Sequence, residues 1–212
     1  MVRSNANIPG FLDDYSLLAQ AFIDLYQSTF DESWLNLADQ IINYSIQHFY
    51  DVNNGMFYYS DLDEGGTITR KTEISDNVIP SSNSIMAKIL YQLYLYYDRE
   101  DYLDKAEKML NNVAPQIEQN GNYFANWANL FIDFAFQSPE VVFTGNGALK
   151  LRQEFDRTFS YALIAGSELE STLSLLKNRV VKGESLIYVC RNRVCKLPVK
   201  TIDEARKQMD TD

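Results

Sequence analysis

The chain has 212 residues, 46% of them apolar and 23% charged, which is enough apolar material to build a core and too much for a disordered chain. No stretch approaches the roughly 20 apolar residues that a membrane-spanning helix needs. The net charge of −10 is uneven, since residues 1–139 carry 7 Lys/Arg against 19 Asp/Glu and residues 140–212 carry 12 against 10; so acidic a first part argues against nucleic-acid and membrane partners, both of which are bound through Lys and Arg.

Residues 1–10 are polar and lack the apolar centre of a secretion signal, although a piece of a longer chain would have lost such a signal with its true N-terminus. Two cysteines and one histidine are too few for a disulfide framework or an ordinary zinc site. The expectation is therefore no metal, no cofactor and a reduced, cytoplasmic setting.

Over residues 11–30, Phe11, Tyr15, Leu18, Phe22, Leu25 and Tyr26 recur at spacings of three and four and share one helical face. Asp31 is placed to cap a second helix through Trp34, Leu37, Ala38, Ile41, Ile42, Ser45 and Phe49, which the turn residues 51–55 stop. The aromatic run Gly55-Met-Phe-Tyr-Tyr-Ser60 reads as a short strand or extended loop, and a polar stretch over 61–76 follows. The helical pattern then returns. Ala19, Leu25, Tyr26, Glu32, Leu35 and Ala38 match Ala87, Leu93, Tyr94, Glu100, Leu103 and Ala106, every pair 68 residues apart. The second copy predicts a helix over 81–97 and another over 99–119 with Asp98 at its cap; a fifth, over 123–137, opens a third copy that is not finished. Hairpin repeats of this length suit a mainly α architecture, an incomplete α/α toroid whose inner helices line a cavity. A partial ring leaves apolar flanks, so self-association or a place in a longer chain is expected.

The periodicity changes after Pro139, dividing residues 1–139 from a small α/β tail over 140–212. Val141, Val142 and Phe143, a turn at 145–147, a helical pattern over 149–159 and an apolar run over 161–165 read as a βαβ unit with two parallel strands. Residues 168–183 are ambiguous, with a short helix over 169–176 as one reading. Residues 186–190 and 194–199 read as a hairpin, and Thr201 with Glu204 as a capping box for a last helix ending near Met209. A turn at Asn192-Arg193 puts Cys190 opposite Cys195, with Cβ atoms roughly 4.5–5.5 Å apart. That is slightly wider than a relaxed disulfide, and leaves either a redox switch or, as is usual in the cytosol, two reduced thiols.

Three strings, Gly10-Phe-Leu-Asp-Asp-Tyr15, Pro80-Ser-Ser-Asn-Ser84 and Tyr188-Val-Cys-Arg-Asn-Arg-Val-Cys-Lys-Leu-Pro198, resemble the C-terminal region of the thioredoxin-domain-containing proteins that include spermatogenesis-associated protein in animals and YyaL in bacteria. The resemblance implies a preceding thioredoxin-like domain, absent from these 212 residues, and a helical toroid similar to six-hairpin glycosidases and N-acylglucosamine 2-epimerases. It implies no secure activity.

Candidate site residues follow from that architecture. Asp13 and Asp14 open the first helix, where carboxylates either cap the helix or line a cavity mouth. Adjacent residues point apart, so a glycosidase-type pair, roughly 5–9.5 Å across a substrate, would need a distant partner such as Asp76. Ser82 and Asn83 sit at the corresponding mouth of the third helix, as caps or as polar contacts to a sugar. Tyr58 and Tyr59 pack or stack on a sugar ring. Trp34 and Trp127 read as core, and His48 as structural for want of an evident partner. Thr144-Gly-Asn-Gly147 is a weak anion loop without the phosphate-loop spacing or Lys. The expectations are a carbohydrate-active hydrolase or isomerase acting on a sugar or other polar small molecule, against a non-catalytic interaction module or a thiol-redox role through Cys190 and Cys195.

Overall fold

A computed structural model describes residues 2–3, 8–61, 70–156 and 161–210. Two short strands, β1 (Val2–Arg3) and β2 (Ile8–Pro9), pair antiparallel ahead of the first helix. The periodic faces then become α1 (Leu12–Thr29) and α2 (Glu32–Phe49), joined at Phe30, whose left-handed backbone (φ 58°) ends α1. Asp31 accepts from the Ser33 N–H and starts α2 as expected. A tight hairpin, β3 (Tyr50–Asp51) against β4 (Met56–Phe57), leads out of α2 and accounts for the aromatic run. Residues 62–69 of the expected polar stretch lie outside the described residues.

The second copy, α3 (Ser82–Tyr97) and α4 (Glu100–Asn120), repeats the first in detail. Asp98 occupies the left-handed position (φ 62°) 68 residues after Phe30. It therefore ends α3, and Arg99 stands at the α4 cap where the sequence suggests Asp98. Ala19 and Ala87 are fully buried, as are Ala38 and Ala106, because small side chains at these levels let paired helices approach. A single 3₁₀ turn, Gly121–Tyr123, precedes α5 (Ala125–Phe136), so the fifth helix starts two residues later than its pattern suggests. α3 packs between α1 and α5, and its neighbours explain an asymmetry within the repeat: Leu93 is fully buried, whereas its counterpart Leu25 on α1 is 39% exposed.

In the tail, β5 (Glu140–Thr144) pairs in parallel with β6 (Leu163–Ser167) through α6 (Ala148–Phe155), the expected βαβ unit. The end of the expected α6 pattern, residues 157–159, is outside the described residues. β7 (Leu186–Arg191) adds antiparallel to the other side of β5, and β8 (Val194–Cys195) pairs with β7, giving the order β6-β5-β7-β8. β8 is shorter than the expected 194–199. Past Lys196 the pairing resumes only at Ile187 and Val199, one residue out of step, because Pro198 has no N–H to give the ladder. The Thr201–Glu204 box forms and opens α7 (Ile202–Asp210).

The alternation of the strands distributes the core. Val142, Leu163, Ala165, Leu186, Tyr188 and Cys190 join the core that contains the helices. Val141, Phe143, Ile164, Ile187 and Val189 turn the other way, into a second cluster with α6 and α7. The sheet thus covers the C-terminal ends of α1 and α3: Tyr26 Oη donates to Gly166 O (3.3 Å) and Tyr96 Oη to Ile164 O (2.8 Å). Residues 169–176 form turns rather than a helix. Their amides and hydroxyls go instead to α3, Leu175 N to Tyr96 O and Ser174 Oγ to Tyr97 O, satisfying carbonyls that the helix end leaves open.

Candidate functional site

The N-terminal ends of α1, α3 and α5 meet at one side of the molecule, tied together by the segment after β4 and by residues 73–84. Asp14 Oδ2 accepts from Phe11 N (2.9 Å), the reciprocal arm of a cap, while Asp13 Oδ2 accepts from Tyr59 Oη (3.1 Å). The Tyr59 ring stacks on Phe11, and Tyr58 turns away to donate to Asp51 (2.7 Å) beneath the Arg70 guanidinium. Asn83, fully buried, takes the place of a strand neighbour for Phe57. Its Oδ1 accepts from Phe57 N (2.8 Å), and its Nδ2 donates to Phe57 O and Glu73 O (2.9 Å each). Ser82 is held by Glu73 Oε2 through both its N–H and its hydroxyl.

Asp76 stands between α3 and α5. Its Oδ1 accepts from Ser81 N (2.9 Å) and Ser84 Oγ (3.1 Å), and its Oδ2 from Asn126 N (2.9 Å), so a single carboxylate caps two helices. The structure thus joins Asp13 with Tyr59, hangs Asn83 on the same segment, and sets Asp76 on the far side of α3. Each of these groups is occupied by capping or pinning. Trp127 is fully buried with its Nε1 on Ile74 O, and Trp34 packs against Phe22. His48 does have a partner: Nδ1 lies 3.2 Å from Asp61 Oδ1, and Asp61 Oδ2 also accepts from Tyr44, whose ring stacks on the imidazole. Two amides of the Thr144–Gly147 turn are taken by the protein itself, Gly145 N by Ser167 O and Gly147 N by Ser185 Oγ, as in a connecting turn.

A cleft of about 200 Å³ opens elsewhere, between α1, α3 and α5 and the segment entering β6. α1 contributes Gln20, Asp24 and Gln27, and α3 contributes Lys88, Tyr91, Gln92 and Leu95, spacings that keep each set on one face. Asp133 of α5 closes the far wall with Ser138 and Tyr161. Asp133 is buried; Tyr161 Oη donates to it (3.0 Å) and Ser138 also hydrogen-bonds it, yet burial outweighs these contacts and pushes its carboxyl above the usual range. Gln92 Oε1 is buried without a hydrogen-bond partner. The cleft therefore holds a carboxyl that keeps its proton more readily than usual, a second carboxylate on the opposite wall, and the ammonium of Lys88 between them. The sequence does carry a signal for it: Asp133 interrupts the apolar run Leu130-Phe-Ile-Asp-Phe-Ala-Phe136, and Lys88 is the one charged residue of α3. No group of three or more His, Cys, Asp or Glu that could hold a metal ion occurs among the described residues.

The tail contains another polar cluster. Cys190 and Cys195 are joined in a disulfide, in the register expected, so the expectation of two reduced thiols gives way to a bonded pair. Glu140 lies directly across β5 from Cys190, almost wholly buried, and both its oxygens accept from Arg193 N. Burial raises its carboxyl to about 7, against the pull of those amides and of Arg179.

No family model matches the chain. It is similar to an uncharacterized protein of Caenorhabditis elegans, 26% identical over 95% of this chain, and to spermatogenesis-associated protein 20 of human and mouse, 24% and 23% identical over 97%. These similarities support a relationship with the spermatogenesis-associated proteins. The chain spans 28–29% of the length of these relatives.

Proposed function

We propose that the cleft between α1, α3 and α5 binds a small polar molecule, of the size of a single sugar, and performs acid–base chemistry on it. The observation that carries this reading is Asp133. A buried carboxyl that holds its proton more tightly than usual is suited to donate to a leaving or hydroxyl oxygen, and Asp24, which accepts from Gln20 Nε2 (2.9 Å), lines the facing wall of the cleft. About 200 Å³ is below the roughly 300–1,000 Å³ of pockets for drug-sized ligands, which favours a monomeric substrate. The gathering of three helix N-termini at one side supports reading the hairpins as part of an α/α toroid whose inner helices carry the site, and the greater length of the relatives supports placing it in a longer protein; a cytoplasmic setting and a preceding thioredoxin-like domain belong to the same proposal.

The test is a thermal-shift screen of sugars, sugar phosphates and small hydroxy acids against the native chain and Asp133→Asn. A ligand at 100 times its Kd adds about 2.7 kcal/mol, or roughly 5–10 °C in Tm for a chain of this size. The shift is expected with the native chain and is lost in the variant. A panel without any shift, or equal shifts in both proteins, overturns the assignment.

A second reading has its own observation. Phe131, Ile132 and Phe136 on α5 and Leu17 and Leu25 on α1 are exposed, the apolar flanks an interaction module would present. Sedimentation showing a monomer at every concentration would count against self-association through these flanks.

A further inference from the structure

The disulfide of the tail is dispensable for holding its hairpin. Cys190 and Cys195 are only five positions apart, and the entropy a cross-link removes from the unfolded chain is smallest for such short loops. The hairpin is also fastened many times over. The Arg193 amide is gripped by Glu140, its guanidinium pairs with Asp98 at the end of α3, and Tyr94 Oη donates to Asn192. Arg191 donates to Gln137 O and Met209 O, and Lys196 N to Val189 O. A cross-link added to so many constraints contributes little rigidity.

Its surroundings are those of a reactive pair. Cys195 is partly exposed on the short edge strand, beside a groove of about 370 Å³ to which Arg191 and Lys196 contribute cationic side chains that attract an incoming thiolate. Val194 and Leu197 flank it, 77% and 84% exposed, an apolar rim for a docking partner. Cys190 is 1% exposed. A thiolate released there would be a buried, unpaired charge, and the residue facing it across the ladder is the carboxyl of Glu140.

We propose that Cys190–Cys195 is an exchangeable disulfide that accepts two electrons from a vicinal dithiol, with Cys195 the sulfur attacked and Glu140 the proton donor to the departing Cys190. One thiolate of the dithiol bonds to Cys195 Sγ; the S–S bond breaks and its electron pair goes to Cys190 Sγ, which takes the Glu140 proton. The second thiolate of the dithiol then attacks its own sulfur in the mixed disulfide and releases Cys195, which is protonated by solvent. The dithiol leaves as a disulfide, the protein holds two thiols, and Glu140 regains its proton from water. A carboxyl that titrates at about 7 is suited to that exchange near neutral pH. The site shares no lining residue with the cleft, so the two assignments stand or fall separately.

Dithiothreitol is the probe. The native disulfide is expected to be reduced by millimolar dithiothreitol without unfolding, with Tm moving by less than about 5 °C. In Cys190→Ala, Cys195 should react with a disulfide reagent at least tenfold faster than Cys190 does in Cys195→Ala. The rate of native reduction per dithiothreitol thiolate should fall as pH rises through 7, and in Glu140→Gln it should be lower and flat. Reduction only on unfolding, a loss of Tm greater than about 10 °C on reduction, the faster thiol being Cys190, or two free thiols in air-oxidised protein would each overturn the proposal. If Glu140→Gln does not fold, the two single-cysteine variants decide it.

Discussion

Replacing Glu140 with glutamine tests the electrostatic description of the tail most directly. The carboxyl is almost wholly buried, so solvent does not screen its ionisation, and its proton is held to about 7 in the folded chain against an ordinary value of 4.5. Between those two pH values the native state binds more protons than the unfolded state, so stability falls as pH rises and levels off once Glu140 is ionised in both. At about 1.4 kcal/mol for each pH unit, the native chain loses about 3 kcal/mol across this window through Glu140 alone. Glutamine has no proton to lose. It keeps one carbonyl to accept from Arg193 N but forfeits the second acceptor, a constant cost of about 1 kcal/mol. Glu140→Gln should therefore be slightly less stable than the native chain at pH 4.5 and about 2 kcal/mol more stable at pH 8. Urea unfolding at intervals across that range measures both curves, and with a slope of about 2 kcal/mol per molar urea the gain at pH 8 moves the midpoint by about 1 M. Taking the difference between the two proteins removes every other titrating group. Parallel curves, or a variant that loses ground as pH rises, would refute the burial argument.

Asn83→Ala leaves the N–H and O of Phe57 and the carbonyl of Glu73 without their buried partner, and should cost about 3 kcal/mol in urea unfolding. Asp76→Ala uncaps α3 and α5 together and should cost about 2–3 kcal/mol, read as a fall of roughly 4–12 °C in Tm. Gly145→Ala should be worse than its single methyl suggests, more than about 2 kcal/mol, because the backbone there has φ +87° and the new Cβ would run into the Glu184 carbonyl; circular dichroism melts would show it.

The helical hairpins and their repeat were legible because helix formation is written in short-range terms. Apolar residues three and four apart place a face and Asp31 offers a cap; the left-handed turns that end the helices at Phe30 and Asp98 carry no such signal, and Asp98 reads instead as the start of the next helix. The pairing of Cys190 with Cys195 was legible for the same reason, since a two-residue turn sets the register of everything beside it. Pattern alone left residues 169–176 ambiguous, because Leu173, Leu175 and Leu176 are buried by contact with the end of α3 and not along a face of their own.

The sites depended on partners distant in the chain. Asp13, Asp76 and Asn83 were visible as polar residues at helix starts, but which amide or hydroxyl each one meets follows from how α1, α3 and α5 pack side by side. Asp133 was only a lone carboxylate in an apolar run until the chain leading into β6 laid Tyr161 against it, 28 residues away. His48 gained Asp61 in the same manner. Local spacing decides which way a side chain leaves its own helix or strand. What it meets there, and so whether its proton is held or released, is set by elements that fold against it from elsewhere in the chain.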